Sequence, residues 1–411
     1  MSKIAVVEVL KIKSFRALWM AQLFSQIGIS LLTFVLAIQT YHLTGKNTAV
    51  SVLTLSFIVP QALFGSLAGV IVDRYDKRIV LFLTNISRAI VVLLFLLTGE
   101  TIFFVYILAI LISLITQFFV PAEAPMIPDL VPKQRLITAN GVFTLTIFVT
   151  MLLGGLFAGP LLDLFGLNLT IFSVFIVYLF ASFNITQIPG QPILPALRRN
   201  VGLFKNFWDE KTTQILKQEF HEGKDYVRKN QKVKAAILIL VGSQTIIASI
   251  STLIPGFADA NLKLNVNHAS VMLLGPAIFG IVVGAALVSQ LAKKIQPRQG
   301  IPIGIMGAGI FMFLLGLSPN LIFAQITLFC LGFSNALVDV SCNTILQSET
   351  QEQVRSRVYG VLTALGGIVF ILPVVLSGTL SDVFGVDRVF MGFGVIILLM
   401  MLKFLRQIKT I

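Results

Sequence analysis

Three charged side chains, Arg88, Glu123 and Asp339, sit inside long apolar runs. There a charge is costly enough to need a partner or a function. A carboxylic acid in surroundings of low dielectric favours its neutral form, which suits a group that loads and releases protons. Asn335, Asp339 and Asn343 recur every four residues, so they form a polar stripe on one helix face. Asp339 is therefore the first choice for proton coupling and Glu123 the second. Arg88 is the only basic residue within a run. At a rise of 1.5 Å per residue, Glu123 lies about 8 Å, Asp339 about 10 Å and Arg88 about 14 Å from the basic ends of their runs. The depths of Arg88 and Glu123 thus differ by about 6 Å, which a bent arginine can span, and a pair between them is expected. Gln22, Ser25, Gln26, Gln117, Ser243, Gln244 and Asn335 add uncharged hydrogen-bonding groups. Such groups among apolar walls suit a hydrophobic or amphiphilic small molecule better than a sugar.

The elements that hold these residues must cross a membrane. Apolar residues make up 56% of the 411 and charged residues 12%, a balance that a water-soluble surface does not tolerate. Windows of about 20 apolar residues, the length that spans hydrocarbon, fall at 17–41, 49–72, 79–98, 102–127, 137–164, 168–187, 235–257, 269–292, 300–317, 320–346, 358–382 and 387–404. Twelve helices are expected, an all-α membrane protein that uses the lipid bilayer as its solvent. Of the 31 Lys and Arg, 27 fall on the side that holds both termini and 3 on the other, so both termini are expected in the cytosol and the protein in the plasma (inner) membrane. The net charge of +13 is spread through these loops and builds no nucleic-acid surface. Cys330 and Cys342 share one run and His42, His221 and His268 are scattered, so no metal site and no cofactor are expected. The runs hold neither a histidine nor paired carboxylates for enzyme chemistry, and the chain lacks G-x-x-x-x-G-K-[ST] for an ATP-driven pump.

The apolar pattern stops over residues 189–234, where ten basic and five acidic residues mix with Phe204, Phe207, Trp208 and Phe220. This stretch reads as a cytoplasmic amphipathic linker on the inner leaflet, between six-helix halves at 1–188 and 235–411. The halves repeat. Gly159-Pro-Leu-Leu-Asp163-Leu-Phe165-Gly166 matches Gly378-Thr-Leu-Ser-Asp382-Val-Phe384-Gly385 at an offset of 219, and Ser25-Gln26 matches Ser243-Gln244 at 218. Gly65/Gly69 matches Gly280/Gly284 at 215.

Gly65-Ser-Leu-Ala-Gly69-Val-Ile-Val-Asp73-Arg74-Tyr75-Asp76-Lys77-Arg78, between the second and third helices, resembles the signature loop of the major facilitator superfamily of secondary transporters. Pro121-Ala-Glu123-Ala-Pro125-Met-Ile-Pro128-Asp129 and Arg355-Ser-Arg357-Val-Tyr-Gly360 resemble its macrolide-efflux-like and siderophore-exporter-like branch. Gly154-Gly155-Leu-Phe-Ala-Gly159-Pro160 is similar to a fifth-helix motif associated with antiporters, and Gly155, Gly159 and Pro160 also suit helix packing and bending. The resemblance implies two halves around a midplane substrate site and alternating access. It also implies a cytoplasmic gate of Gly65, Gly69, Asp73, Arg74, Lys77 and Arg78, in which Asp73 engages a helix N-terminus. The expected function is proton-coupled export by a monomer. The alternatives are an importer, a lysolipid transporter or a non-transporting sensor of the same fold. Two departures stand out. Asp76 occupies a place where glycine is common, and Ile29 follows Gly28 where the branch commonly has an acidic residue. The second moves the search for a coupling carboxylate to Asp339 and Glu123.

Overall fold

The computed structural model describes residues 3–72, 75–97, 101–190, 221–291 and 297–408, which are helical throughout apart from short turns. In chain order the helices are α1 (Lys3–Leu10), α2 (Lys13–Thr44), α3 (Asn47–Val72), α4 (Lys77–Leu94), α5 (Ile102–Thr116), α6 (Phe119–Glu123), α7 (Met126–Leu130) and α8 (Leu136–Thr186). After these come α9 (221–229), α10 (Gln231–Gly256), α11 (Val266–Ala269), α12 (Gly275–Leu291), α13 (Pro297–Gly316), α14 (Leu321–Glu349), α15 (Glu352–Phe384) and α16 (Val386–Ile408).

Ten stretches among the described residues are long and apolar enough to cross a membrane. The longest, Thr138–Thr186, is broken at Gly166, where φ is 69° and ψ is 175°. Only glycine adopts that conformation without strain, so α8 is two helices meeting at a turn. A second break falls inside the expected 102–127 helix, which divides into α5, α6 and α7. Pro121 and Pro125 carry no N–H for the helical ladder, and each marks a point where regular bonding gives way. Glu123 consequently ends a helix of five residues rather than sitting within a long one.

Contacts divide the chain into two units, Met1–Leu36 with Ser56–Lys217 and Ala37–Leu55 with Gln218–Ile411. The far turn between α2 and α3 therefore groups with the C-terminal part of the chain. In the first unit α4 packs along α8, over a core that includes Phe15, Leu18, Leu81, Phe119 and Ile185. In the second, α14 packs against α12 and α13, and α13 against α16. The α12–α14 crossing is close because a Cβ at Gly280 would overlap the Phe329 carbonyl, and one at Gly332 the Ala277 carbonyl. Small residues let helix backbones touch where lipid gives no hydrophobic drive for association.

Candidate functional site

The first unit holds a buried charge cluster. The inner face of α4 carries Leu81, Thr84, Asn85, Arg88 and Ala89 at helical spacing, so the register that buries the leucine also buries the arginine. Arg88 is 1% exposed and Glu123 6%. Arg88 Nη1 donates to Ser25 Oγ of α2 at 2.6 Å. The guanidinium lies 4.8 Å from the Phe119 ring centroid and 5.7 Å from that of Tyr178, a cation–π setting that offsets part of the lost hydration. Gly28 makes room for this, since a Cβ there would press on the Tyr178 ring at 2.9 Å. Glu123 sits on α6, which packs against α4, but the expected pair with Arg88 is not a direct one: the ion pairs among the described residues are Glu8–Arg135, Lys232–Glu349 and Glu222–Arg357. Arg88 Nε, Glu123 Oε1, Tyr178 Oη, Gln22 Oε1 and Asn85 Oδ1 are all buried without a hydrogen-bond partner among the described residues.

In the second unit Asn335 Nδ2 donates to Ser243 Oγ at 2.6 Å, tying α14 to α10. Asp339, half-buried one turn further on, accepts from Asn343 Nδ2 at 3.3 Å, and Asn343 Oδ1 accepts from Tyr359 Oη at 3.4 Å. Asn335 lines a cleft of about 810 Å³ among α10, α13, α14, α15 and α16, and Asp339 lies off it. Of the glutamines, Gln22 donates to the Phe143 carbonyl at 3.5 Å and Gln117 to that of Ser113 at 2.9 Å. Gln26 is half-buried and Gln244 exposed.

At the far end of the second unit a carboxylate closes on a helix start. Asp382, in the last turn of α15, accepts through Oδ1 from Asn47 N at 2.9 Å and Asn47 Nδ2 at 3.3 Å. Its Oδ2 accepts from Thr48 N at 3.0 Å and Thr48 Oγ1 at 2.6 Å. These are the free N–H groups at the positive end of α3, where an anion is favoured. Two glycines admit the turn: a Cβ at Gly256 would overlap the Asn47 side chain, and one at Gly378 the Asn47 carbonyl and Ser51 Oγ. Nearby, Tyr41 Oη donates to Asp259 Oδ2 at 3.1 Å, and His42 Nε2 and Asn267 Oδ1 bond at 2.9 Å. The internal repeat singles out Asp382 in the sequence, but its role there is unread. The available signal is a helix opening on Asn-Thr, whose partner only the tertiary structure supplies.

Of the signature-loop residues, Asp73 and Arg74 lie outside the described residues. Arg78 donates from Nε and Nη2 to the carbonyls of Ile185 and Thr186, at 3.2 and 2.9 Å, closing the C-terminal end of α8. Asp76 accepts from Arg78 N at 2.9 Å and caps α4, which gives a physical reason for a carboxylate where glycine is common. A Cβ at Gly65 would only touch Gln117 Oε1 at 3.5 Å, and among the described residues nothing crowds Gly69. The tightest approach near the antiporter-like motif is at Gly154, against Ser30 and Leu31, while its neighbours Gly155 and Gly159 are buried and Pro160 half-buried.

The sequence model described as Major Facilitator Superfamily matches residues 18–374. The chain belongs to the major facilitator superfamily. Among curated members, it is 24% identical to the enterobactin exporter EntS of Citrobacter koseri, over 96% of this chain and 94% of that one. It is 24% identical to the MFS-type transporter YkuC of Bacillus subtilis, over 95% and 91%. Among solved structures it is similar to the nucleoside transporter NupG, with a TM-score of 0.75 at 12% identity over 96% of this chain and 99% of that one. A bacterial homologue of the lysosomal transporter Spinster superposes with a TM-score of 0.68 at 14% identity, over 97% and 96%. These likenesses fix the fold as that of the superfamily, an integral membrane transporter and not an enzyme.

Proposed function

We propose that this superfamily member exports a hydrophobic or amphiphilic small molecule by alternating access, driven by inward proton movement. The proposed topology has twelve crossings in one monomeric chain with both termini in the cytosol of the inner membrane. The count takes α8 as two helices and α16 as the last. Asp73, with Arg74, Lys77 and Arg78, closes the cytoplasmic side, and the Asp382 clasp holds the opposite side shut while the cytoplasmic side is open. Of the proposed substrate contacts Gln22, Gln26, Gln117, Gln244 and Asn335, Asn335 lines the cleft of the second unit.

The observation that carries the coupling reading is the burial of Glu123 beside Arg88 with a carboxyl oxygen unpartnered. A charge pair denied direct contact is poised to change partners when one member gains a proton, and such a group biases a two-state equilibrium if its proton affinity differs between the states. Asp339, which accepts from Asn343 on its own helix, is the other coupling carboxylate. Reconstituted protein with an imposed pH gradient tests this. Glu123→Gln and Asp339→Asn are expected to abolish gradient-driven efflux while leaving downhill exchange of cargo, and full gradient-driven transport in both variants would refute proton coupling through these residues.

A further inference from the structure

The cleft in the second unit has a chemical bias that says more about cargo than the family does. Its volume of about 810 Å³ falls within the roughly 300–1,000 Å³ of small-molecule sites. Leu238, Ile246, Ile305, Phe393 and Met400 represent its largely apolar wall. Among the described residues one charged side chain lines it, Lys234, and no acidic one does. Lys234 is exposed in the first turns of α10 and makes no ion pair among the described residues. The polar point deeper in is the Asn335–Ser243 hydrogen bond, in which Ser243 accepts and keeps its own hydroxyl proton free to donate. Nine residues of helix separate Lys234 from Ser243, about 14 Å, and the lining continues to Ser249, about 22 Å from Lys234. One leaflet of hydrocarbon is about 15 Å thick. The cleft is therefore long enough to take an apolar chain from the headgroup level to past the midplane.

We propose that this cleft seats the cargo, and that the cargo is an anionic amphiphile with its acidic head at Lys234 and its apolar body running toward Ser243. The assignment rests on the transport reading above and narrows it. An exposed ammonium at the mouth attracts an anion and repels a cation, and with no carboxylate among the described wall residues nothing there compensates a cationic drug. The attraction is exposed at the mouth, so salt weakens it.

The test uses the full-length protein in nanodiscs of neutral lipid and measures displacement of a fluorescent fatty acid by a medium-chain fatty acid, its alcohol and its trimethylammonium analogue. The acid is expected to bind at least tenfold more tightly than the ammonium, with an affinity that falls as salt rises. Lys234→Gln is expected to bring the acid to the level of the alcohol, leave the alcohol unchanged and remove the salt dependence. Val369 is 41% exposed on the cleft wall, so Val369→Trp narrows the cleft from outside the core and is expected to weaken all three ligands. Equal affinities for acid and ammonium, or an acid preference that survives Lys234→Gln, would overturn the proposal. So would unchanged binding in Val369→Trp. Binding is read without transport, so selective acid binding by a chain that fails to export the acid refutes the exporter reading and leaves the site standing.

Discussion

Replacing Asp382 by alanine removes four hydrogen bonds from the start of α3 at once. Asp382 is exposed, so water takes over much of what is lost and gas-phase bond strengths do not apply. Two better measures are the cost of deleting an N-capping side chain, about 0.5–2 kcal/mol, and the value of an anion at a helix start, about 0.3–1 kcal/mol. Together they give about 1–3 kcal/mol, which shifts a two-state equilibrium about 5- to 150-fold. Ser51 is 0% exposed beneath this clasp, against Gly378. In a chain with Cys330 and Cys342 replaced by alanine, Ser51→Cys should react slowly with an impermeant maleimide added from outside right-side-out vesicles. Asp382→Ala is expected to raise that rate within the stated range. Thr48→Val, which loses one bond and keeps the main-chain donors, should raise it by a smaller factor. A rate unchanged by Asp382→Ala would mean that the carboxylate does not hold the far side closed.

Arg88→Gln removes the buried hydrogen bond to Ser25 and the cation–π contacts with Phe119 and Tyr178, and is expected to lower stability by about 1–3 kcal/mol. Adding Glu123→Gln should change little further, because the buried acid is free to take a proton, as measured by thermal unfolding in detergent. Gly332→Ala forces a methyl group into the Ala277 carbonyl and is expected to cost about 1–3 kcal/mol in the same assay. Arg78→Ala uncovers two carbonyls at the end of α8 and should speed hydrogen exchange there while leaving the α12–α14 packing protected.

What the sequence revealed depended on whether the information was local. The helical windows and the turn near Gly166 follow from hydropathy, and the apolar surroundings expected for Arg88 and Glu123 agree with the burial of both side chains. The partner that Arg88 takes, Ser25, depends on which helices become neighbours, and no periodicity encodes that. The stripe of Asn335, Asp339 and Asn343 shares one helix, yet Asn335 bonds across to Ser243 while Asp339 bonds to Asn343. A single face thus meets two surroundings. The split of the fourth apolar window was written in Pro121 and Pro125, but the unbroken apolar run around them hides it from a hydropathy count.

The Asp382 contact also distributes mutational risk unevenly. On the α3 side, two of its four donors are main-chain N–H groups, which every residue except proline supplies. Position 48 can therefore vary and still be held, whereas the Asn47 side chain is buried against Gly256, which leaves little room for a larger one. On the α15 side everything depends on one carboxylate at one place. Two alleles of such a protein could differ at Thr48 and remain interchangeable, whereas drift at Asp382 would have to be matched by a new way of closing.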